Sequence, residues 1–161
     1  HCHTLAIRVV HPGLLGMPRQ VLVPLAGHPR GLETALPMLR LFAPDLDHLH
    51  LLTVREVNRW RFRWQSRKSA RNMLVEGYDY LRHVERQLSE DEAFSHVRFD
   101  AHVVVSDDPV KEILIATHRK SRLIFVGASE RNLRERFFYG NPLEQLLRET
   151  PCDVAIYRGF A

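Results

Sequence analysis

Short apolar segments alternate along the chain with segments of helical spacing, and this alternation constrains the fold more than any other feature. Strands are predicted over residues 20–25, 48–54, 97–105, 123–126 and 153–157. Most are too apolar to have a solvated face, which is typical of strands covered on both sides of a parallel sheet. Helical spacing between strands then requires right-handed crossovers. The sequence predicts an open, doubly wound α/β domain, Rossmann-like, with helices on both faces.

Prolines and capping residues mark the predicted helices. Residues 30–42 carry apolar side chains at intervals of three and four, although Pro37 is expected to kink or shorten this helix. A long helix follows the second strand and runs to about residue 87. Asp108-Pro109 and Asn141-Pro142 each combine an N-cap residue with a first-turn proline.

The first 19 residues are predicted to be an N-terminal extension or connector, and residues 20–161 form the domain. Residues 4–10 alternate weakly, so they indicate either an extra edge strand or a link from an upstream domain. Because the sequence begins with His1 and not with Met, we expect it to be a segment of a longer protein.

Composition excludes several classes of protein. The chain of 161 residues is 45% hydrophobic and 26% charged, which suits one globular domain and not a disordered chain. Its apolar runs are far shorter than the roughly 18 residues that a membrane span needs. Cys2 and Cys152 are far apart and lack ligand spacing, so neither a disulfide framework nor a zinc site is expected. A reducing, cytoplasmic location follows as the expectation.

The basic excess is concentrated in one segment. Residues 55–71 contain seven basic residues and Glu56 as the one acidic residue, whereas the whole chain has a formal net charge of only +4. Within this segment, cations and aromatic rings alternate: Arg59, Trp60, Arg61, Phe62, Arg63 and Trp64. The rings either pack beneath the next helix or form a docking patch for protein or lipid. Nucleic acid is disfavoured, because the remaining surface is mildly acidic and no nucleic-acid-binding module is present.

A glycine-containing loop joins the fourth strand to the last helix. Gly127 ends the strand, and Gly140 precedes Asn141 at a helix start. Glycine permits close approach of a ligand to the backbone, and helix N-termini attract phosphate. A structural alternative is equally simple: Gly127 ends a strand, Gly140 serves a turn and Asn141 caps the helix.

Over residues 20–158 the sequence resembles the universal stress protein (UspA) family. Five segments carry the resemblance in order: Val21-Leu-Val-Pro24, Leu51-Leu-Thr-Val54, Asp107-Asp-Pro-Val-Lys-Glu-Ile113, Leu123-Ile-Phe-Val-Gly127, and the ending from Leu146 to Tyr157. The resemblance implies a five-stranded parallel sheet of order 3-2-1-4-5, homodimerisation through the last strand and, in one subgroup, binding of ATP or AMP.

That subgroup has the pattern G-x-x-G, nine residues, then G followed by Ser or Thr, with an Asp after the first strand. Here Gly127 and Gly140 keep the spacing, but Glu130 replaces the middle glycine and Asn141 replaces the hydroxyl. Ala26 stands at the aspartate position, and Leu143 stands where a second hydroxyl is usual. Ala26 cannot accept a hydrogen bond from a ribose, and Glu130 adds negative charge near a triphosphate.

Ligands of such sheets bind beyond the carboxyl ends of the strands, where the strand order reverses. The candidate nucleotide-binding residues for ATP, ADP or AMP therefore lie after the first, second and fourth strands and around the glycine loop. They are Pro24, Leu25, Ala26, Val54, Val126, Gly127, Ser129, Glu130, Gly140, Asn141 and Leu143.

Other polar groups are expected to be structural. His48 and His50 share one face of a strand, but a metal site is disfavoured because the sequence shows no Cys or carboxylate in register with them. Ser106-Asp107-Asp108 indicates a helix cap, with some ligand contact from the two carboxylates. No nucleophile with a placed base is recognisable, so catalysis is not expected.

The sequence thus predicts a regulatory or sensor domain, homodimeric and cytoplasmic, that binds an adenine nucleotide. The segment Val23 to Gly31 resembles the UspA-type tails of permeases and chloride channels. From this resemblance we expect the domain to modulate an attached membrane transporter or channel. The alternative is a nucleotide-free domain for dimerisation and for docking to protein or membrane.

Overall fold

The computed structural model describes residues 4–10, 19–26, 30–57, 67–127 and 142–158. These residues form six strands and four α-helices. The elements are β1 (Thr4–Arg8), β2 (Gln20–Leu25), α1 (Arg30–Phe42), β3 (His48–Glu56), α2 (Arg67–Ser89), β4 (Arg98–Ser106), α3 (Pro109–Lys120), β5 (Leu123–Gly127), α4 (Pro142–Glu149) and β6 (Asp153–Arg158). Short 3-10 helices, Ala43–Asp45 and Glu92–Phe94, precede β3 and β4.

The described strands form one sheet of order β1-β6-β5-β2-β3-β4. Strands β2 to β6 are parallel to one another and have the predicted 3-2-1-4-5 arrangement. The resemblance implied five strands, and the structure adds a sixth, β1. β1 lies antiparallel on β6, with Thr4 opposite Arg158 and Arg8 opposite Val154. Of the two alternatives for residues 4–10, the structure therefore shows the edge strand.

Both faces of the sheet are buried, which is why the central strands lack alternation. One face packs beneath α1 and α2, whose Leu32, Ala35, Leu39, Leu81, Val84 and Leu88 join Val21, Val23, Leu49, Leu51 and Phe125. The other face buries Leu22, Leu52 and Ile124 with Ile113 and Ala116 of α3.

Two helix predictions have different outcomes. Asp108 caps α3 as predicted, because its carboxylate accepts a hydrogen bond from the Lys111 N–H at 3.1 Å. Of the two effects expected of Pro37, a kink or a shortened helix, the shortening does not occur, since α1 continues to Phe42. Leu32, Ala35 and Leu39 hold α1 against the sheet on both sides of the proline, so tertiary packing offsets the missing backbone hydrogen bond.

Candidate functional site

The strand order reverses between β2 and β5, and in open parallel sheets this is where a ligand-binding crevice forms beyond the carboxyl ends of the strands. Among the described residues, these strands pair only as Val21 with Leu123 and Leu22 with Ile124, near their amino ends. Pro24 has no N–H to donate to a ladder. The carboxyl halves of β2 and β5 therefore pair with β3 and β6 but not with each other, at the place where open parallel sheets bind ligands.

The predicted site residues that the structure describes at these strand ends are apolar. Leu25 is buried, Pro24, Val54 and Val126 are half-buried, and Ala26 is exposed. None of these five predicted site residues carries a charge, so they supply dispersion contacts and backbone groups. Such a surface fits a flat, uncharged ring such as a nucleobase better than it fits phosphate.

A buried threonine in β3 holds the carboxyl end of β2. The Thr53 hydroxyl in β3 donates to the Leu25 carbonyl oxygen at 2.8 Å, and Thr53 is fully buried. This bond satisfies a carbonyl at the last residue of β2 and holds the strand end against β3. Sequence reasoning missed Thr53, although its position beside Leu25 follows from the parallel register.

Gly127 lies beneath the ring of Tyr157. A Cβ atom at residue 127 would lie 2.7 Å from the Tyr157 hydroxyl and 2.9 Å from its Cζ. Tyr157 is the register partner of Gly127 in β6 and stacks on Phe125 with ring centroids 4.7 Å apart. Packing alone therefore favours a glycine here. The predicted close approach of a ligand to this backbone stays a prediction.

The tyrosine over Gly127 has a perturbed acidity. Burial, together with a smaller effect of the nearby Tyr80, raises the pKa of Tyr157 to about 12. Burial also raises the pKa of the Tyr80 phenol, which comes from α2. Both phenols therefore remain neutral hydrogen-bonding groups near the end of β5, and neither serves as an anionic base at neutral pH.

A second concave region lies at the carboxyl end of β4. Its volume is about 260 Å³, and it is lined by Ser106, Asp107, Asp108, Lys111 and Glu112. The Ser106 hydroxyl donates to Glu112 at 3.2 Å and accepts from the Asp108 N–H at 3.2 Å. Three carboxylates against one ammonium make this cavity unsuited to phosphate, so its polar groups serve the α3 cap.

Several predicted site residues lie outside the described residues. They are Ser129, Glu130, Gly140 and Asn141 of the glycine loop, and the whole docking patch of Arg59, Trp60, Arg61, Phe62, Arg63 and Trp64. Leu143 is described and is half-buried in the first turn of α4. That turn also contains Glu144, whose carboxylate pairs with Arg148 at 2.8 Å.

The two histidines share a face, as predicted. Their rings stack with centroids 5.3 Å apart and planes within 4°. The expectation that no carboxylate is in register with them is wrong: Asp100 is the β4 partner of His50. Its Oδ2 lies 3.5 Å from His48 Nε2 and 3.3 Å from His50 Nδ1. The register of β4 against β3 is set by the packing of whole elements, so it cannot be read from the local sequence.

The described parts of the chain contain neither a metal-binding cluster nor a membrane-spanning helix. No group of three or more His, Cys, Asp or Glu side chains in those parts is arranged to hold a metal ion. Among the described helices, none combines the length and apolar character that a membrane crossing needs.

Comparison with known families and structures gives a consistent result. The model of the universal stress protein family matches residues 17–158. No curated protein matches the chain. Among solved structures, the hypothetical protein MJ0577, the subject of a structure-based assignment of biochemical function, has a TM-score of 0.70 at 18% identity, covering 89% of this chain and 98% of its own.

Two further solved structures have the same fold. The universal stress protein UspA from Lactobacillus plantarum has a TM-score of 0.63 at 17% identity, with 87% of this chain and 97% of its own covered. A universal stress protein in complex with cAMP has a TM-score of 0.54 at 17% identity, covering 87% and 96%. At these identities the structures establish the fold of this chain and nothing finer.

Proposed function

The chain belongs to the universal stress protein family, and from this premise we propose that it is a regulatory or sensor domain that binds an adenine nucleotide in the crevice between β2 and β5. Members of the family are generally regulatory proteins. The observation that carries the proposal is that the β2–β5 ladder ends after two residue pairs at the reversal of strand order, where open parallel sheets bind ligands.

The crevice fits the base and sugar better than the phosphates. The half-buried Pro24, Val54 and Val126 offer an apolar surface to adenine. The Leu25 side chain is buried in the core on the other face of the sheet, and its carbonyl already accepts the Thr53 hydroxyl. The phosphates of ATP, ADP or AMP would contact the segment from Ser129 to Asn141. A cAMP complex of a protein with this fold adds the cyclic nucleotide to the ligands worth testing.

Ala26 provides the sharpest test, because it is exposed and stands where the nucleotide-binding subgroup has Asp. Ala26→Asp should tighten adenine-nucleotide binding by about tenfold, the value of one charge-assisted hydrogen bond to a ribose hydroxyl. Leu41→Asp is the matched control, since Leu41 is exposed in the last turn of α1, at the opposite end of the sheet.

Isothermal titration calorimetry with ATP, ADP, AMP and cAMP measures the affinities, and GTP tests base selectivity. Saturable binding that Ala26→Asp strengthens and Leu41→Asp leaves unchanged supports the crevice. The proposal is wrong if millimolar adenine nucleotide gives neither heat nor a thermal shift. Equal gains from both variants would instead indicate a response to net charge.

Four finer elements complete the proposal. The domain acts by binding and not by catalysis, and it resides in the cytoplasm, as its few cysteines suggest. It modulates an attached membrane transporter or channel, a role supported by the resemblance of Val23 to Gly31 to such tails. It associates as a homodimer, although β1 covers the edge of β6 through which the family resemblance implies this contact.

The second candidate is a nucleotide-free docking domain. Its support is the loss of the aspartate at Ala26 together with the alternating cations and rings of residues 59–64. Replacing Arg59, Arg61 and Arg63 with Glu should then abolish flotation with anionic vesicles while nucleotide titrations stay blank for the unmodified chain. Flotation that survives the triple replacement would exclude membrane docking through these residues.

A further inference from the structure

The edge of β6 is covered by a strand that lies outside the family-matched region. β1 comprises Thr4–Arg8, whereas the family model begins at residue 17. β1 pairs antiparallel with β6 along five residue pairs. Its Leu5 packs against the core beneath α1 and α2. The segment thus supplies a strand that the matched domain itself does not include.

Specific polar contacts fasten the carboxyl end of β1. The Arg8 guanidinium donates to the carbonyl oxygens of Leu147, Thr150 and Cys152, where α4 ends and the turn to β6 begins. A cation at this position also complements the negative end of the helix. The Val10 N–H donates to the buried Asp153 carboxylate at 2.7 Å. These contacts couple β1 to both ends of the turn before β6.

Without β1, β6 would be an edge strand with strong pairing tendencies. Asp153-Val-Ala-Ile-Tyr-Arg158 is apolar in the middle, rich in strand formers and free of proline. An antiparallel pair of two such strands about a two-fold axis at Ala155 places Val154 opposite Ile156 of the second copy, because directly opposed residues share a face of the sheet. β-branched side chains then face each other twice across the pair.

From these observations we propose that β1 acts as an intramolecular plug, which closes the β6 edge against a second copy of the chain. Two copies pair through β6 only when β1 has left that edge. The homodimer is then a conditional state, and the contacts of Arg8 and Val10 set how readily it forms. The proposal is independent of nucleotide binding, because β1 lies at the edge of the sheet, whereas the proposed nucleotide site lies between β2 and β5.

A reversible covalent lock tests this proposal on the full chain. Ala6 and Ile156 are register partners, so Ala6→Cys with Ile156→Cys in a Cys2→Ser background can form a disulfide that holds β1 in place. Adding Arg8→Ala removes the main anchor. The same polypeptide then has β1 locked when oxidised and released when reduced, and the chain that retains Arg8 is the matched control.

Sedimentation velocity over a range of protein concentrations measures the mass, and hydrogen exchange of the β1 and β6 amides reports release. We expect the Arg8→Ala chain to be monomeric when oxidised and to double in mass with concentration when reduced. The control should stay monomeric in both states. Val10→Pro, which removes only the N–H donor to Asp153, is the second releasing variant if reduced Arg8→Ala does not fold.

Three results would overturn the proposal. The first is a locked chain that dimerises as readily as the released one, since pairing would then not need the β6 edge. The second is a released chain, with rapidly exchanging β1 amides, that stays monomeric at every concentration. The third is β1 protection that neither Arg8→Ala nor Val10→Pro changes, because β1 would then be a fixed strand.

Discussion

Replacing Gly127 with alanine separates a packing role for this glycine from a role in ligand approach. The new Cβ would lie 2.7 Å from the Tyr157 hydroxyl, whereas ordinary contacts begin at about 3.4 Å. The phenol would therefore have to move by roughly 0.7 Å. Tyr157 is only 5% exposed, and its ring is held against Phe125, which itself meets Phe42 edge-on at 5.9 Å. Little space exists for that movement.

The expected cost follows from two opposing effects. Overpacking a buried site costs about 1–3 kcal/mol, since neighbouring side chains leave their preferred positions. Alanine also lowers the conformational entropy of the unfolded chain, which raises the free energy of unfolding by about 0.4–1 kcal/mol. We therefore expect Gly127→Ala to lower the free energy of unfolding by about 1–2 kcal/mol without any ligand. In a domain of this size, each kcal/mol corresponds to about 2–4 °C in Tm.

Urea unfolding of four chains measures the effect: the original chain, Gly127→Ala, Tyr157→Leu and the double variant. Leucine lacks the distal ring atoms that the alanine would meet, so Gly127→Ala should cost nothing in the Tyr157→Leu background. The double-mutant cycle should give a coupling of about 1–2 kcal/mol. Tyr157→Phe is the graded control, since it removes the atom at 2.7 Å and leaves Cζ at 2.9 Å.

The packing argument fails if Gly127→Ala leaves the free energy of unfolding unchanged or raises it. A loss of nucleotide affinity at unchanged stability would instead show that the glycine serves the ligand. A cost that persists undiminished in the Tyr157→Leu background would place the strain elsewhere than at this ring.

Two further predictions concern buried polar groups. Burial raises the pKa of Tyr157 from 10.0 to about 12 and that of Cys152 from 9.0 to about 11. Both groups stay protonated in the folded chain while the unfolded chain loses protons, so stability should be unaffected below about pH 9 and fall as pH rises to about 12. Tyr157→Phe should flatten the upper part of this decline in pH-dependent unfolding, and an unchanged slope would contradict the assignment. Thr53→Val should cost about 1–3 kcal/mol in urea unfolding, because it leaves the Leu25 carbonyl without its 2.8 Å donor. Thr117→Val is the control with a smaller expected cost, since that hydroxyl bonds within its own helix; equal costs for the two valines would refute the role given to Thr53.

Local sequence signals predicted much of the architecture. The apolar runs correspond to β2 to β6, with ends that differ from prediction by two residues or fewer. Asp108-Pro109 marked the start of α3 because a cap and its helix are adjacent in sequence. These features depend on spacing within a few residues, and such spacing is visible in a single chain.

Contacts between distant residues were not predictable in the same way. The partnership of His50 with Asp100, of Thr53 with Leu25 and of Gly127 with Tyr157 depends on strand register, which is decided by how whole elements pack. Pro37 remains inside α1 for the same reason, because burial of the helix outweighs a local rule.

The sequence by itself determined the fold class, the order of the elements and the strand ends at which a ligand site is to be sought. Only the tertiary structure decided that residues 4–8 close the β6 edge and that Tyr157 occupies the space beside Gly127. The physical reason is that hydrophobic period and capping are properties of neighbouring residues. Edge pairing and close packing arise only when segments more than a hundred residues apart in sequence, such as β1 and β6, meet.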